Sequence, residues 1–261
     1  MGSRTYYGGT LDRRAGHLHP LNLARGLAQA AMSFGAKIFE VSEVRHLDRE
    51  GSQHVIKTTM GEVRCKQVVV ACNGYLNGLL PAADAYQMPI NNFMVATTPL
   101  DEAVATQINR DNVAVVDTRF VVNYFHRSQD HRLIFGGGEN YSPYFPRSIE
   151  AVVRPRLESV YPQLRGVKID YAWGGTLSVT MNRMPKFGHD GQGVYYAEGY
   201  SGHGVAMANL GGQLIAEAIM GHPERFDQMA ALEQRTFPGG RWLRWPGLVA
   251  GMLFYTFLDR I

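Results

Sequence analysis

The sequence has 261 residues, of which 45% are hydrophobic and 19% are charged, a composition typical of one large or two small globular domains. Its formal net charge of +3 is spread without long basic runs, so we expect no nucleic-acid partner. The two cysteines, Cys65 and Cys72, lack the spacing of a metal or redox site, and no signal peptide opens the chain, so we expect a cytoplasmic protein. No apolar run reaches the roughly 20 residues of a membrane-spanning helix, so we expect no transmembrane segment.

The first 88 residues combine helical and strand patterns. A strand is predicted at residues 6–11, and an apolar stripe predicts a helix at 21–34. Before that helix, His17 and His19 form an H-x-H pair with no third ligand in view, which is more typical of a turn than of a metal site. Further strands are predicted at residues 37–40, 42–48, 54–58, 62–66 and 67–71. The last of these ends in a small-residue turn, where an α/β sheet presents its carboxyl edge to a ligand.

From residue 88 the pattern changes to antiparallel β. Strands are predicted at residues 93–98, 114–117, 121–127, 132–135 and 168–173, and an amphipathic helix at 149–161. A polar hairpin is predicted at 126–132. The three glycines from Gly136 to Gly138 are expected to end the strand that follows this hairpin.

A glycine-punctuated turn follows a short buried strand at residues 194–197. Gly199, Gly202 and Gly204 remove side chains from this turn, so a ligand can approach the backbone closely. The turn leads into a helix, and the amides around 201–203 are expected to be bare and to suit an anionic group; a tight turn without a ligand is the alternative. The predicted inward face of that helix carries Val205, Ala208, Gly212, Ile215 and Ile219.

The order of these glycines, G-x-x-G-x-G, differs from the dinucleotide fingerprint G-x-G-x-x-G, which the chain does not contain. Several longer strings nevertheless carry a resemblance: residues 16–24, 68–74, 166–171, 182–188, 199–205 and 237–241. Together they resemble the FAD-dependent amine and D-amino-acid oxidase superfamily, and most closely its branch that oxidises gamma-glutamyl amines. The similarity extends from near Tyr6 to the C-terminus.

The resemblance implies an α/β fold: an incomplete FAD-binding domain of the D-amino-acid-oxidase type with an antiparallel β substrate domain. Residues 1–88 and 176–235 would belong to the FAD-binding domain, although the first residues could join the sheet of the substrate domain. Residues 89–175 would form the substrate-binding domain. Residues 236–261 would form a C-terminal tail helix rich in aromatic residues.

The resemblance also implies particular site residues. FAD would be bound non-covalently, because neither cysteine lies in the flavin-facing segments. Tyr124, His126 and Trp173 are candidates for lining the substrate site, with sheet surface or core aromatics as the alternative role. The implied cofactor-binding residues are Val44, Ala71, Asn73, Gly74, Arg183, Met184, Gly199, Ser201, Gly202, His203 and Gly204.

The implied activity is oxidation of a C–N bond of a primary amine resembling gamma-glutamylputrescine, in polyamine catabolism, with dioxygen as oxidant and hydrogen peroxide as product. Because the opening unit with G-x-G-x-x-G is missing, we predict weak or no FAD binding by this chain alone. The alternatives are a catalytically incomplete C-terminal fragment that needs an N-terminal partner, and a stand-alone module that binds a small anion at 199–204. A homo-oligomer also stays open.

Overall fold

The structure is a computed structural model that describes residues 1–119, 121–140, 144–238, 243, 244, 246, 247 and 249. The described residues form two compact units. The first contains Met1–Leu18 and Ile90–Thr176, and the second contains His19–Pro89 and the described residues from Leu177 onward. Much of the predicted tail segment, including Trp242, Trp245 and the aromatic residues at 254–257, lies outside the described residues.

Helices and strands alternate irregularly along the chain. The helices are α1 (Pro20–Ser33), α2 (Pro81–Asp84), α3 (Glu102–Ile108), α4 (Ile149–Val160), α5 (Gly204–Ile219) and α6 (Glu224–Ala230), with short 3-10 turns at Asn73–Tyr75 and Pro162–Leu164. The strands are β1 (Val44–Glu50), β2 (Gln53–Thr58), β3 (Glu62–Cys65), β4 (Val68–Val70), β5 (Met88–Thr97), β6 (Val115–Val116), β7 (Tyr124–Arg127), β8 (Leu133–Asn140), β9 (Ile169–Val179), β10 (Lys186–His189) and β11 (Val194–Glu198).

The first unit is built on a five-stranded sheet in the order β6-β7-β8-β5-β9. Its core is aromatic: Phe125 stacks on Phe135 with ring centroids 5.3 Å apart, and Tyr161 meets Phe125 edge-on at 5.4 Å. Helix α4 supplies Val153 and Leu157, which are fully buried in the same cluster. The predicted antiparallel section is therefore confirmed in its strands and in its covering helix.

Strand β8 differs from the prediction because it continues through the three glycines to Asn140. A Cβ atom at Gly136 would lie 2.1 Å from the ring of Tyr124, and one at Gly138 would lie 3.0 Å from Val152 of α4. Gly138 also has a φ of +89°. These glycines thus serve close packing within a strand rather than its termination, which local turn preference does not distinguish.

The second unit contains two small sheets. One is the antiparallel meander β1-β2-β3, and the other has the order β10-β11-β4, in which β11 runs parallel to β4 and antiparallel to β10. Helix α5 packs on β11, and Gly211 permits the close approach because a Cβ atom there would lie 3.2 Å from that of Ala197. The mixed α/β fold class expected from the sequence is confirmed.

The inward face of α5 was predicted correctly at Ile215, which is buried, and at Ile219, which is partly buried against the same core, but incorrectly at its other three positions. The residues that the helix buries are Gly211, Leu214, Ile215 and Ala218, whereas Val205 is 49% exposed. Ala208 and Gly212 are also exposed. The helix is apolar on most of its surface, so the spacing of apolar residues does not identify the side that meets the sheet.

Helix α1 matches its predicted bounds within a residue but buries no side chain. Its apolar residues Leu21, Leu27 and Met32 are 59%, 50% and 50% exposed, and Phe34, just beyond it, is 93% exposed. The strands predicted at 6–11 and 37–40 are wrong, since both stretches lack regular structure. Short apolar runs of this kind also occur in loops, and periodicity over four to six residues cannot separate the two.

Candidate functional site

The loop between β11 and α5 has an unusual backbone. Gly199, Ser201 and Gly202 have φ angles of +72°, +50° and +95°, in the left-handed region that favours glycine. The Ser201 N–H donates to the carbonyl of Ser178 at 2.9 Å, and the His203 N–H donates to the carbonyl of Tyr200 at 2.9 Å. The expectation that the amides around 201–203 are bare is therefore wrong for these two, because the loop's own geometry uses them.

The start of α5 supplies a different set of donors. The helix begins at Gly204, and its N-cap residue His203 makes no side-chain capping hydrogen bond. The amides of the first helical turn, at 204–206, consequently have no intrahelical acceptor and lie at the positive end of the helix dipole. Gly202 precedes them, and a Cβ atom at this exposed position would meet no atom within 4 Å. A planar anionic group can thus approach this backbone without a steric barrier.

The turn after β4 is joined directly to this loop. The side-chain oxygen of Asn73 accepts a hydrogen bond of 3.2 Å from the Gly199 N–H. Asn73 has a φ of +45° and begins the 3-10 turn in which Gly74 is buried, while Ala71 before it is exposed. Two segments 126 residues apart in sequence, both predicted to contact the cofactor, therefore meet in one place.

The segment at 183–184 is tied to the same loop through Thr180. The Thr180 N–H donates to Ser201 Oγ at 3.2 Å, and its hydroxyl donates to the Met184 carbonyl at 2.8 Å. Arg183 has a φ of +60°, and Met184 is 46% exposed beside it. The structure thus places Asn73, Arg183–Met184 and Gly199–Gly204 in a continuous hydrogen-bonded group.

A cavity of about 550 Å³ lies against β4 and the turn that follows it. Val44, Val69, Val70 and Cys72 line it, with Leu47 and Asn77 among its other residues. The lining is mostly apolar, which suits the flat face of a heterocycle. Burial, with the nearby Glu198 carboxyl, raises the pKa of the Cys72 thiol, so this cysteine is a weak nucleophile although it faces the cavity.

A buried polar cluster behind the loop was not anticipated. Glu198, at the end of β11, is 2% exposed, and its Oε2 accepts a hydrogen bond of 2.9 Å from Gln87 Nε2. The side-chain oxygen Oε1 of Gln87 accepts a hydrogen bond from the Ser178 hydroxyl. Burial, and then the charge of Asp84, raises the pKa of Glu198 to about 8. The available signal was an acidic residue at the end of a buried strand, directly before the glycine turn.

Asp84 has its own cationic partner. Arg244 Nη1 lies 3.2 Å from Asp84 Oδ1, and the two side chains are 11% and 9% exposed. The same nitrogen donates to the carbonyls of Asp84 and Gln87 at 3.0 and 3.1 Å. The negative charge of Asp84 is thus compensated, whereas Glu198 accepts its hydrogen bond from the neutral side-chain amide of Gln87.

The three predicted substrate residues belong to the first unit. Tyr124 and His126 lie on the same face of β7, with the buried Phe125 between them on the other face. Trp173 lies on β9, which is separated from β7 by β8 and β5, or roughly 14 Å at the usual strand spacing. The structure therefore brings Tyr124 and His126 together and leaves Trp173 apart from them.

Tyr124 and His126 each contact a polar neighbour within the first unit. The Tyr124 hydroxyl donates to Asn92 Oδ1, and burial raises its pKa to about 12, with the Glu139 carboxylate as a second cause. The phenol is therefore neutral near pH 7. The His126 ring lies 4.5 Å from that of His17, whose Nε2 donates to the Asn112 carbonyl at 2.8 Å.

His19 has a structural role, since its Nδ1 accepts a hydrogen bond of 3.3 Å from the Asn22 N–H and so caps α1. Within the described residues, no three His, Cys, Asp or Glu side chains are grouped as a metal site would require. In the same residues, no helix combines the length and the apolar character needed to cross a bilayer.

Comparison with known proteins identifies relatives over the whole chain. A family model described as FAD dependent oxidoreductase matches residues 2–218. Gamma-glutamylputrescine oxidoreductase of Escherichia coli is 40% identical over 262 residues, which cover 100% of this chain and 61% of that protein. A probable oxidoreductase, OrdL, of Rhizobium meliloti is 39% identical over 100% of this chain and 60% of its own length. The chain thus spans about 60% of the length of these relatives.

Solved structures support the same fold. Glycine oxidase from Bacillus cereus superposes with a TM-score of 0.67 at 21% identity, covering 82% of this chain and 59% of that one. L-proline dehydrogenase from P. horikoshii superposes with a TM-score of 0.63 at 25% identity, covering 80% of this chain and 60% of that one. Because the family model matches residues 2–218, which are most of the chain, the chain belongs to the family of FAD-dependent oxidoreductases.

Proposed function

We propose that the protein to which these residues belong oxidises a C–N bond of a primary amine that carries a gamma-glutamyl group. The product would be an imine, which water hydrolyses to an aldehyde. The observation that carries the proposal is the hydrogen-bonded group formed by Asn73, Thr180 and Ser201 beside the uncapped start of α5, in a chain of this family. Hydride acceptance from the amine, followed by reduction of dioxygen to hydrogen peroxide, is the chemistry that bound FAD would supply.

The residues present fit one part of this cofactor. Gly202 and the amides at 204–206 offer an accessible, electropositive backbone for the edge of a flavin that becomes anionic on reduction. Asn73 and Gly74 hold the adjoining turn, and Val44, with the apolar cavity, suits the adenine end. Within the described residues there is no G-x-G-x-x-G turn to bind a pyrophosphate, so this part of the cofactor needs donors from elsewhere.

In the first unit, Tyr124 and His126 are the proposed substrate residues, and Trp173 is a third at a greater distance. The neutral Tyr124 hydroxyl can orient a substrate without trapping it as an ion pair. An amine must be deprotonated before it loses hydride, and a partly buried site favours the uncharged form of an amine.

A second candidate is that this chain is catalytically incomplete and functions only with a further polypeptide. Two observations favour it. Helix α1 buries none of its apolar side chains, and β4 ends its sheet with one edge unpaired among the described residues, with Val69 46% exposed. An unpaired edge of a parallel strand can accept another strand, and an exposed apolar helix face can be covered by another polypeptide segment.

The test is a flavin titration of the purified 261-residue chain, alone and after co-expression with the portion of the E. coli relative that it does not match. We expect the chain alone to remain colourless, and the pair to bind FAD and to produce peroxide from gamma-glutamylputrescine. Gly202→Val should abolish flavin binding by the pair, whereas Gly212→Val, which adds the same atoms at an exposed helical position, should not. A yellow chain on its own would refute the incomplete-chain proposal, and saturable phosphate binding with no flavin binding by the pair would favour an anion-binding module.

A further inference from the structure

The polar cluster of Glu198, Gln87 and Ser178 connects β11, which ends just before the glycine loop, with β9, whose backbone accepts a hydrogen bond from the loop. The side chain of Gln87 contacts both strands: its Nε2 donates a hydrogen bond to Glu198, and its Oε1 accepts one from the Ser178 hydroxyl. The carbonyl of Ser178 then accepts the amide of Ser201 at 2.9 Å. A chain of four residues therefore connects Glu198, directly before the loop, to Ser201 within it.

All three side chains behind the loop are almost inaccessible to solvent. Glu198, Gln87 and Ser178 are 2%, 3% and 1% exposed. Glu198 Oε1 has no hydrogen-bond partner among the described residues. An ionised carboxylate with one oxygen unpaired in such a place is far more costly than a neutral carboxylic acid.

The surroundings of Glu198 also disfavour its charge. Asp84, on α2, repels a second carboxylate, and its own cation, Arg244, is committed to it at 3.2 Å. Lys186 lies opposite Glu198 on β10, and its ammonium nitrogen is directed at Tyr86, 4.9 Å from the centroid of that ring. Among the described residues, the pKa values of Cys72, Tyr196 and Tyr200 are each raised in part by the Glu198 carboxylate. These three groups are neutral acids, so none of them supplies a positive charge.

We propose that Gln87 and a protonated Glu198 are positioning residues that hold the Gly199–Gly204 loop in its left-handed conformation, so that a proton on Glu198 is a condition for the shape of the proposed flavin site. The assignment of the loop to flavin rests on the proposed function. The dependence of the loop conformation on the Glu198 proton does not rest on it, because that dependence concerns the chain without flavin.

The physical consequence is a linkage between loop opening and pH. When the loop opens, Glu198 reaches water and ionises at an ordinary carboxyl pKa, but in the closed state it stays neutral. Opening therefore becomes easier as the pH rises, by up to about tenfold per pH unit, over the range between the two pKa values.

The experiment is amide hydrogen exchange on the purified chain without flavin, at about pH 5.5 and about pH 7.5, with each rate corrected for intrinsic chemistry. In the wild type we expect the protection of the Ser201 amide to fall by about tenfold or more between the two conditions. In Glu198→Gln, which keeps an acceptor for Gln87 but has no acidic proton, protection should stay constant. Glu40→Gln, at an exposed carboxylate, should behave as the wild type, and the amide of Phe135 in the first unit should report any global change.

Equal pH dependence in the wild type and in Glu198→Gln would overturn the proposal, as would a Ser201 amide whose protection does not change with pH in the wild type. Gln87→Glu provides a second variant, because it brings a carboxyl against Glu198; it should lower Ser201 protection at the higher pH more than in the wild type. None of these results depends on whether the flavin titration succeeds, so the failure of one proposal is distinguishable from the failure of the other.

Discussion

Asn73 Oδ1 accepts a hydrogen bond of 3.2 Å from the backbone N–H of Gly199, and this contact joins the end of β4 to the end of β11. Both strands run in the same direction and are paired side by side. The turns that leave their carboxyl ends are consequently fixed relative to each other. In an α/β sheet this edge is where ligands bind, so the contact shapes the region in which we propose the cofactor lies.

Replacing Asn73 separates the two functions of that side chain. Asn73→Gly keeps the positive φ but removes the acceptor, so we expect a loss of about 1 kcal/mol in the free energy of unfolding. Asn73→Asp keeps both an acceptor and a residue that tolerates this backbone, so its loss should be smaller. Urea denaturation measures both. A glycine variant as stable as the wild type would show that the contact contributes nothing.

Gly199 carries two constraints, a positive φ and a close neighbour. A Cβ atom there would lie 2.5 Å from Thr180 Cγ2, so Gly199→Ala should cost about 1–3 kcal/mol for overpacking in addition to backbone strain. Gly191 has the same φ of +72°, and a Cβ atom added to it would meet no atom within 4 Å, which makes Gly191→Ala the matched control for strain alone. The difference between the urea unfolding midpoints of the two variants measures the cost of the clash with Thr180. Equal midpoints would show that the clash costs nothing.

The stability of the chain should depend on pH through Glu198. Its pKa is raised from 4.5 to about 8, so the folded state binds this proton more tightly than the unfolded state does. Stability is therefore lost as the pH rises from about 4.5 to about 8, and the loss is complete above that range. Glu198→Gln removes the titration and should stabilise the chain by about 4 kcal/mol at pH 8, with little gain near pH 4.5.

Thermal unfolding of the wild type and Glu198→Gln across this pH range measures the effect. The control is Glu40→Gln, which replaces an exposed carboxylate and should change the curve little. If the two glutamine variants followed the same curve, Glu198 would not be the group that titrates.

A substitution on the exposed face of α1 should change the stability of the chain very little. Leu27 is 50% exposed, so Leu27→Lys should change the free energy of unfolding by less than about 0.5 kcal/mol. Leu157 is fully buried in the core of the first unit, and Leu157→Ala should cost about 2–5 kcal/mol. Leu27→Lys should also reduce binding of a hydrophobic fluorescent dye to the chain. A large destabilisation by Leu27→Lys would show that α1 is packed in solution.

Much of the secondary structure follows from periodicity in the sequence. The long helices α1, α4 and α5 were all predicted, and the bounds given for α1 and α4 lie within one residue of those observed, because 12 to 16 residues sample several helical turns. Predictions over short stretches were less successful: residues 6–11 and 37–40 form no strand, and β8 extends past its predicted end. Glycines in β8 were interpreted as a stop because local sequence does not reveal the helix and the tyrosine that approach them.

The sequence alone determined the family, the fold class and the segments that form the glycine loop, since these depend on strings of neighbouring residues. Only the tertiary structure decided which amides remain available, which face of α5 is buried, and that Glu198 lies in a buried cluster with Gln87 and Ser178. The physical reason is that these properties come from contacts between residues far apart in the chain: 91 positions for Ser178 and Gln87, and 111 for Gln87 and Glu198. Local patterns specify which elements form, but hydrogen bonding and burial are set by how those elements pack.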